Sequence, residues 1–248
     1  MSGHSKWSTI KRKKGALDQK RGREFSKLIR VMMQAARAGG GDLDANSTLR
    51  TAVDKAKSIN MPADTITRAI KRGTGEIEGE AYEEIVYEGY GPCGTAIIIE
   101  TLTDNRNRTT AEVRHALTKH GGNLGESGCV QWMFTKKGII LIPAEGTDEE
   151  ALMEAALDAG ADDVSHDGSF FMVSTEPSEL ERVKTKLEEG GYKIESYEVS
   201  MEPTTTVDVG DKAETVLKLI DFIEDLDDVQ NVYSNFDISE DVMEKLKG

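Results

Sequence analysis

Cations dominate the start of the chain. Lys6 and Trp7 close the stretch Gly3-His4-Ser5-Lys6-Trp7, and Lys11-Arg12-Lys13-Lys14, Lys20, Arg21 and Arg23 follow. Only Asp18 is acidic between Lys6 and Arg23. Such residues pair well with phosphates, because much of the driving force is counterion release and placement can be flexible. Trp7 beside them either stacks on a base, as aromatics among cations do in single-strand binders, or anchors the arm onto neighbouring helices. A mitochondrial presequence is also basic and poor in acids, but the helix that this arm feeds is needed for the fold.

A second constellation is Asp104-Asn105-Arg106-Asn107-Arg108-Thr109, which joins a strand to a helix start. Arg106 and Arg108 could clamp phosphate there, aided by the free N–H groups of the helix start. The alternative is a loop whose Asn and Asp residues satisfy the turn and whose arginines pair with local carboxylates.

Other chemistry fits poorly. Gly89-Tyr90-Gly91-Pro92-Cys93-Gly94 matches the G-x-G-x-x-G pattern, but β-rich Thr95-Ala96-Ile97-Ile98-Ile99 follows where a dinucleotide site needs a helix. These glycines are expected to be turn residues. His4, His115, His120 and His166 are scattered, and the five-residue gap between His115 and His120 does not stack them on one helix face. There is no HExxH, nucleophile elbow or phosphate-binding loop. Cys93 and Cys129 form no CxxC pair and lie in β-rich text as packed thiols. No metal, no cofactor and no enzyme activity are expected.

Charge sharpens the picture. Of 248 residues, the first 80 carry 17 Lys+Arg against 9 Asp+Glu, a net of +8, and the rest carries 14 against 36, a net of -22. A basic head on acidic domains suggests contact with an anionic polymer. Apolar runs reach only about four residues, far below the ~18 of a membrane helix. No apolar segment follows the basic start, so no secretory signal is expected and the compartment is read as reducing cytoplasm.

The elements that must position these residues follow from periodicity. Over residues 17–38, Phe25, Leu28, Ile29, Met32 and Ala36 make one helical face. Arg23, Lys27, Arg30 and Arg37 fall in a stripe of roughly 80° on the opposite face. Gly39-Gly40-Gly41 ends this helix. Asn46 or Ser47 caps a second, with Leu49, Val53, Ala56 and Ile59 inward, and a third begins near Pro62 and ends before Gly73.

From residue 82 the period changes to that of strands. Strands are expected over 82–90 and 95–102, then a helix opened by a Thr109–Glu112 capping box and ending at Gly121, then a strand over 129–134. Residues 138–201 follow as a βαββαβ ferredoxin-like unit. The final helix (212–226) and strand (229–236) cannot form a domain alone, so they are expected to return and complete the 82–134 piece. The expected fold is α+β with three domains: 1–79 basic and helical; 80–135 with 206–248, discontinuous; and 136–205 inserted, both α/β domains being ferredoxin-like. No helix-turn-helix with base-reading side chains is apparent, so sequence preference should be weak.

Gly3-His4-Ser5-Lys6-Trp7, Gly40-Gly41-Asp42, Asp44-Ala45-Asn46, Tyr87-Glu88-Gly89-Tyr90-Gly91-Pro92 and the 104–109 stretch together resemble the YebC family across nearly the whole chain. The chain departs from the family pattern at Cys93, where glycine is expected. The resemblance implies a helical N-terminal domain, two α/β domains and no enzyme activity. It also implies a DNA-binding transcriptional regulator, or alternatively a ribosome-bound, rRNA-contacting translation factor that relieves stalling at proline-rich stretches. Mitochondrial relatives activate translation of cytochrome c oxidase. The expected partner is therefore DNA or ribosomal RNA, with the ribosome possible and no membrane.

Overall fold

The computed structural model describes residues 18–78, 82–166, 169–239 and 242, and in it helices come first and two sheet-and-helix units follow. The chain is mixed α+β. Its helical part is α1 (Asp18–Gly39), α2 (Ser47–Ser58) and α3 (Ala63–Gly73). After it come β1 (Glu83–Tyr90), β2 (Ala96–Thr103), α4 (Arg106–Lys119), β3 (Asn123–Leu124), β4 (Phe134–Pro143), α5 (Glu149–Ala159), β5 (Asp163–His166) and β6 (Phe170–Thr175). The chain closes with α6 (Leu180–Glu189), β7 (Ser196–Pro203), β8 (Val207–Asp208), α7 (Ala213–Glu224), β9 (Val229–Ser234) and β10 (Phe236–Asp237). Among the described residues no helix is long and apolar enough to cross a membrane.

The helical core forms as the periodicity requires. Leu28, Met32 and Ala36 of α1 meet Leu49 and Val53 of α2 and Ile66 and Ala69 of α3, with Phe25 and Ile29 half-buried at the edge. Asn46 does the capping. Its side-chain oxygen accepts the Leu49 N–H at 3.0 Å, and its amide donates to the carbonyls of Ala35 and Gly40 at 2.9 and 2.8 Å. One buried side chain thus satisfies backbone groups on both sides of the turn. Gly73 lies inside α3 rather than beyond it: a Cβ there would stand 2.4 Å from the Met33 carbonyl oxygen, so α1 and α3 approach this closely only across a glycine.

The first sheet has the order β3-β1-β2-β9, with each neighbouring pair antiparallel. β2 and β3 are therefore parallel with β1 between them, and α4 connects them: a split βαβ. β9 adds beside β2, from Ile97↔Ser234 to Thr101↔Val229. Alternation on β2 sends Ile97 and Ile99 toward α4 and α7, where Val113, Leu117, Leu219 and Ile220 pack, and sends Ala96 and Ile98 to the other face. That other face is covered by Val130, Phe134, Tyr233 and the half-buried Met133 and Met201. Burial on both faces explains the uninterrupted apolar run at 96–99.

The second sheet has the order β5-β6-β4-β7, with α5 and α6 packed on it through Leu152, Ala156, Val183 and Leu187. This is the ferredoxin-like layout of a βαββαβ chain.

Three local expectations need correction. Residues 129–134 are not a strand: they form a short 3-10 turn (Gln131–Met133), and β4 runs unbroken from Phe134 to Pro143. The Glu88 carboxylate takes the N–H groups of Gly128, Val130 and Gln131, so those amides cannot join a sheet. The third strand of the first sheet is instead β3. Finally, α4 starts at Arg106 with Asn105 as its cap, and the Thr109 hydroxyl, expected to cap, turns inward to Asp228.

Candidate nucleic-acid interface

Lys6, Trp7, Lys11, Arg12, Lys13 and Lys14 lie outside the described residues. Lys20, Arg21 and Arg23 lie on α1, which is all that is described of them. From Lys27 onward the side chains are placed, and at Lys27 and Arg30 the open cationic stripe expected on α1 is instead an interface, whereas Arg37, its last member, is exposed. Lys27 Nζ donates to the Glu224 carbonyl at 2.7 Å. Arg30 donates to the Asp227 carbonyl and pairs with the Asp228 carboxylate at 3.1 Å. The 224–228 turn between α7 and β9, an acidic run in the sequence, thus docks on the basic face of α1.

Asp228 is the centre of this contact, with only 2% of its side chain exposed. Its second oxygen accepts from Arg108 at 2.7 Å, from the Thr109 hydroxyl at 2.7 Å and from the Thr103 hydroxyl at 3.1 Å. Burial pushes the Asp228 carboxyl up, but the Arg108, Thr109 and Thr103 hydrogen bonds outweigh it and hold the group below its usual range. Arg108 is held charged in return, chiefly by its bonds to Asp228 and then Asp104, the latter at 2.7 Å. Arg106 pairs with Glu83 at 2.9 Å, which raises its pKa. Of the two possibilities at 104–109, the geometry is a capped helix start whose arginines sit on carboxylates. Lys27, Arg30 and Arg108 therefore hold α1, α4 and the 224–228 turn together, while Arg106 ties α4 to β1.

Another cationic face is open. Arg68, Lys71 and Arg72 are exposed on α3 at spacings of three and four, so they share one side of the helix. Among the described residues none of the three pairs with a carboxylate. Arg72 also reaches a cleft of about 430 Å³ whose walls include Arg30, Met33, Glu78 and Tyr82. The Arg30 guanidinium lies over the Tyr82 ring, 5.6 Å from its centroid. This α3 face was legible from its spacing, yet the denser cations upstream draw attention away from it.

A second buried carboxylate was also missed. Glu88 is 3% exposed and accepts from Gly128 N at 2.6 Å and from Val130 N and Gln131 N at 2.8 Å each. Burial opposes its ionisation, but the three N–H donors prevail and hold it below its ordinary value. Cys129, half-buried in this loop, has its thiol pushed up by burial, so it is a packing group. Cys93, by contrast, is exposed and takes the left-handed conformation at φ 61°, which accounts for glycine being expected there.

Comparison with known proteins agrees with this architecture. A family model described as the TACO1/YebC protein N-terminal domain matches residues 5–76, and one described as the TACO1/YebC second and third domain matches residues 82–236. A protein of Persephonella marina named probable transcriptional regulatory protein is 57% identical over 99% of this chain and 100% of its own. One of Geobacter sulfurreducens with the same kind of name is also 57% identical, over the same shares. The crystal structure of a conserved hypothetical protein from Aquifex aeolicus superposes with a TM-score of 0.82 at 49% identity, covering 90% of this chain and 93% of that one. Matched over both its helical and its α/β parts, the chain belongs to the TACO1/YebC family.

Proposed function

We propose that this chain is a non-enzymatic regulator of gene expression that grips the phosphate backbone of a nucleic acid through its helical domain. The observation that carries the proposal is the open face of Arg68, Lys71 and Arg72 on α3, in a chain whose residues beyond 80 are net -22. The relatives' names, probable transcriptional regulatory protein, point the same way. Because Lys27 and Arg30 are engaged by the 224–228 turn, phosphate contact falls to α3 and to the arm cations Lys6, Lys11, Arg12, Lys13 and Lys14. Backbone contact without base reading gives affinity with little sequence preference. Catalysis has no part in this function. His120 packs against Phe222 and His166 stacks on Phe171, so both imidazoles serve packing.

Within this proposal the target is DNA, as a transcriptional role requires. A second reading, ribosomal RNA and a role in translation, is favoured by the acidic α/β domains, whose charge suits basic ribosomal proteins. Ultraviolet crosslinking in cells, with sequencing of the DNA and RNA recovered, tests both. Crosslinked peptides from residues 1–78 are expected. Discrete promoter DNA supports the transcriptional reading, and dominant ribosomal RNA supports the translational one. Recovery no higher than in uncrosslinked cells overturns both.

A further inference from the structure

The largest exposed apolar group among the described residues is Trp132, with 72% of its surface in solvent. Tryptophan left in water forfeits a large burial gain, so its exposure on a well-built loop calls for a reason. The loop is indeed well built. The buried Glu88 carboxylate collects three of its N–H groups, and the Tyr90 hydroxyl donates to the Cys129 carbonyl at 3.2 Å. Val130 and Phe134, on either side of Trp132, are buried against the first sheet. The 3-10 turn between them carries Trp132 outward, and its indole Nε1 donates to the Cys129 carbonyl at 3.0 Å. Both ends of the indole's support are thus fixed while most of the ring remains in solvent.

The stretch itself favours an anionic partner, although β7 sets Glu202 opposite Thr135. No Asp or Glu occurs between Glu126 and Glu145, although the chain beyond residue 80 is strongly acidic. The same stretch carries the exposed Lys136 and Gln131. A fixed, exposed aromatic with a hydrogen-bonding amide beside it in sequence and a cation four residues on matches what an unstacked base and its strand recognise: a π face and a charge for phosphate.

We propose that Trp132 is a preorganised stacking contact for an unpaired base of a single-stranded nucleic acid, with Lys136 at the adjoining phosphate. This rests on the nucleic-acid function above but names a different surface. Glu88, under the loop, and Glu83, paired with Arg106, lie at opposite ends of β1, roughly 17 Å apart at strand rise. The loop therefore adds a contact remote from the 224–228 interface.

The chain has two tryptophans, Trp7 and Trp132, so a Trp7→Phe chain reports on Trp132 alone. It would be titrated with a mixed-sequence 12-nucleotide RNA and with the matching duplex, following indole emission, while binding of a fluorescein-labelled copy is followed separately by anisotropy. The expected result is saturable quenching by the single strand and less by the duplex. A further Trp132→Ala change should weaken single-strand binding about tenfold, with Trp132→Phe retaining most of it. Single-strand binding by anisotropy with unchanged emission, and with Trp132→Ala binding as the parent does, overturns this proposal and leaves the function standing. If neither strand form binds the Trp7→Phe chain or the unaltered one, both fall.

Discussion

Asp228 and Glu88 are both buried carboxylates held ionised against the cost of burial, yet they do opposite things. Asp228 gathers two guanidiniums and two hydroxyls from three parts of the chain, and so takes Arg30 and Arg108 away from any outside anion. Glu88 gathers three backbone N–H groups from one loop, and so fixes its backbone with Val130 inward and Trp132 outward. One carboxylate consumes binding groups to join domains. The other, needing only main-chain donors, builds a display. Counting basic residues therefore misjudges the interface, because what a cation can bind depends on which carboxylates have reached it first.

The largest expected effect comes from removing the interdomain centre. Asp228→Ala leaves Arg30 and Arg108 without their shared partner and strands two hydroxyls, at about 3 kcal/mol in urea unfolding. Glu88→Ala strands three N–H groups that the loop can partly rehydrate, at about 2 kcal/mol. It should also shift Trp132 emission, whereas Asp228→Ala should not. Equal emission changes in the two variants would break the contrast between joining and display.

Binding tests sharpen the contrast from the other side. Lys71→Glu with Arg72→Glu should weaken oligonucleotide affinity at least tenfold and flatten its salt slope by about two. Arg30→Ala should change affinity less than about threefold, because its charge is already paired. A large loss on Arg30→Ala alone would show that the 224–228 turn opens when nucleic acid binds.

Acid stability gives a smaller effect. The folded pKa values of Asp228 and Glu88 lie below the unfolded ones, so the folded chain binds fewer protons. Their stabilisation is fully present above the unfolded values, about pH 4, and is lost as pH falls through the lower folded values. Stability curves of Asp228→Asn and Glu88→Gln should both be flatter than the parent's in that window.

The smallest effect lies outside both sites. Cys93→Gly relieves the left-handed strain and should raise stability by about 0.5 kcal/mol.

What was legible in the sequence is what depends on local period. The α1 face of Leu28, Met32 and Ala36, the Asn46 cap and the βαββαβ order all follow from spacing and turn chemistry. The need of the last strand for partners follows from counting elements, and β9 lies beside β2. What was not legible depends on distant pairing. Asp228 sits in a run of acids that looks solvated, and Lys27 and Glu224 meet across a separation of 197 residues. The strand expected at 129–134 fails because a carboxylate on β1 captures its amides, an event that β propensity does not encode. Arg106 and Arg108 have the composition of an anion clamp, and only the positions of Glu83, Asp104 and Asp228 reveal their partners.

Phosphate contact by α3 is tested by the salt dependence of oligonucleotide binding by the full-length chain, measured by anisotropy between about 50 and 200 mM salt. A steep linear fall of log affinity with log salt is expected, with a shallower slope once Arg68, Lys71 and Arg72 are changed to glutamate. Affinity that stays flat with salt, or a slope unmoved by those three changes, would contradict it.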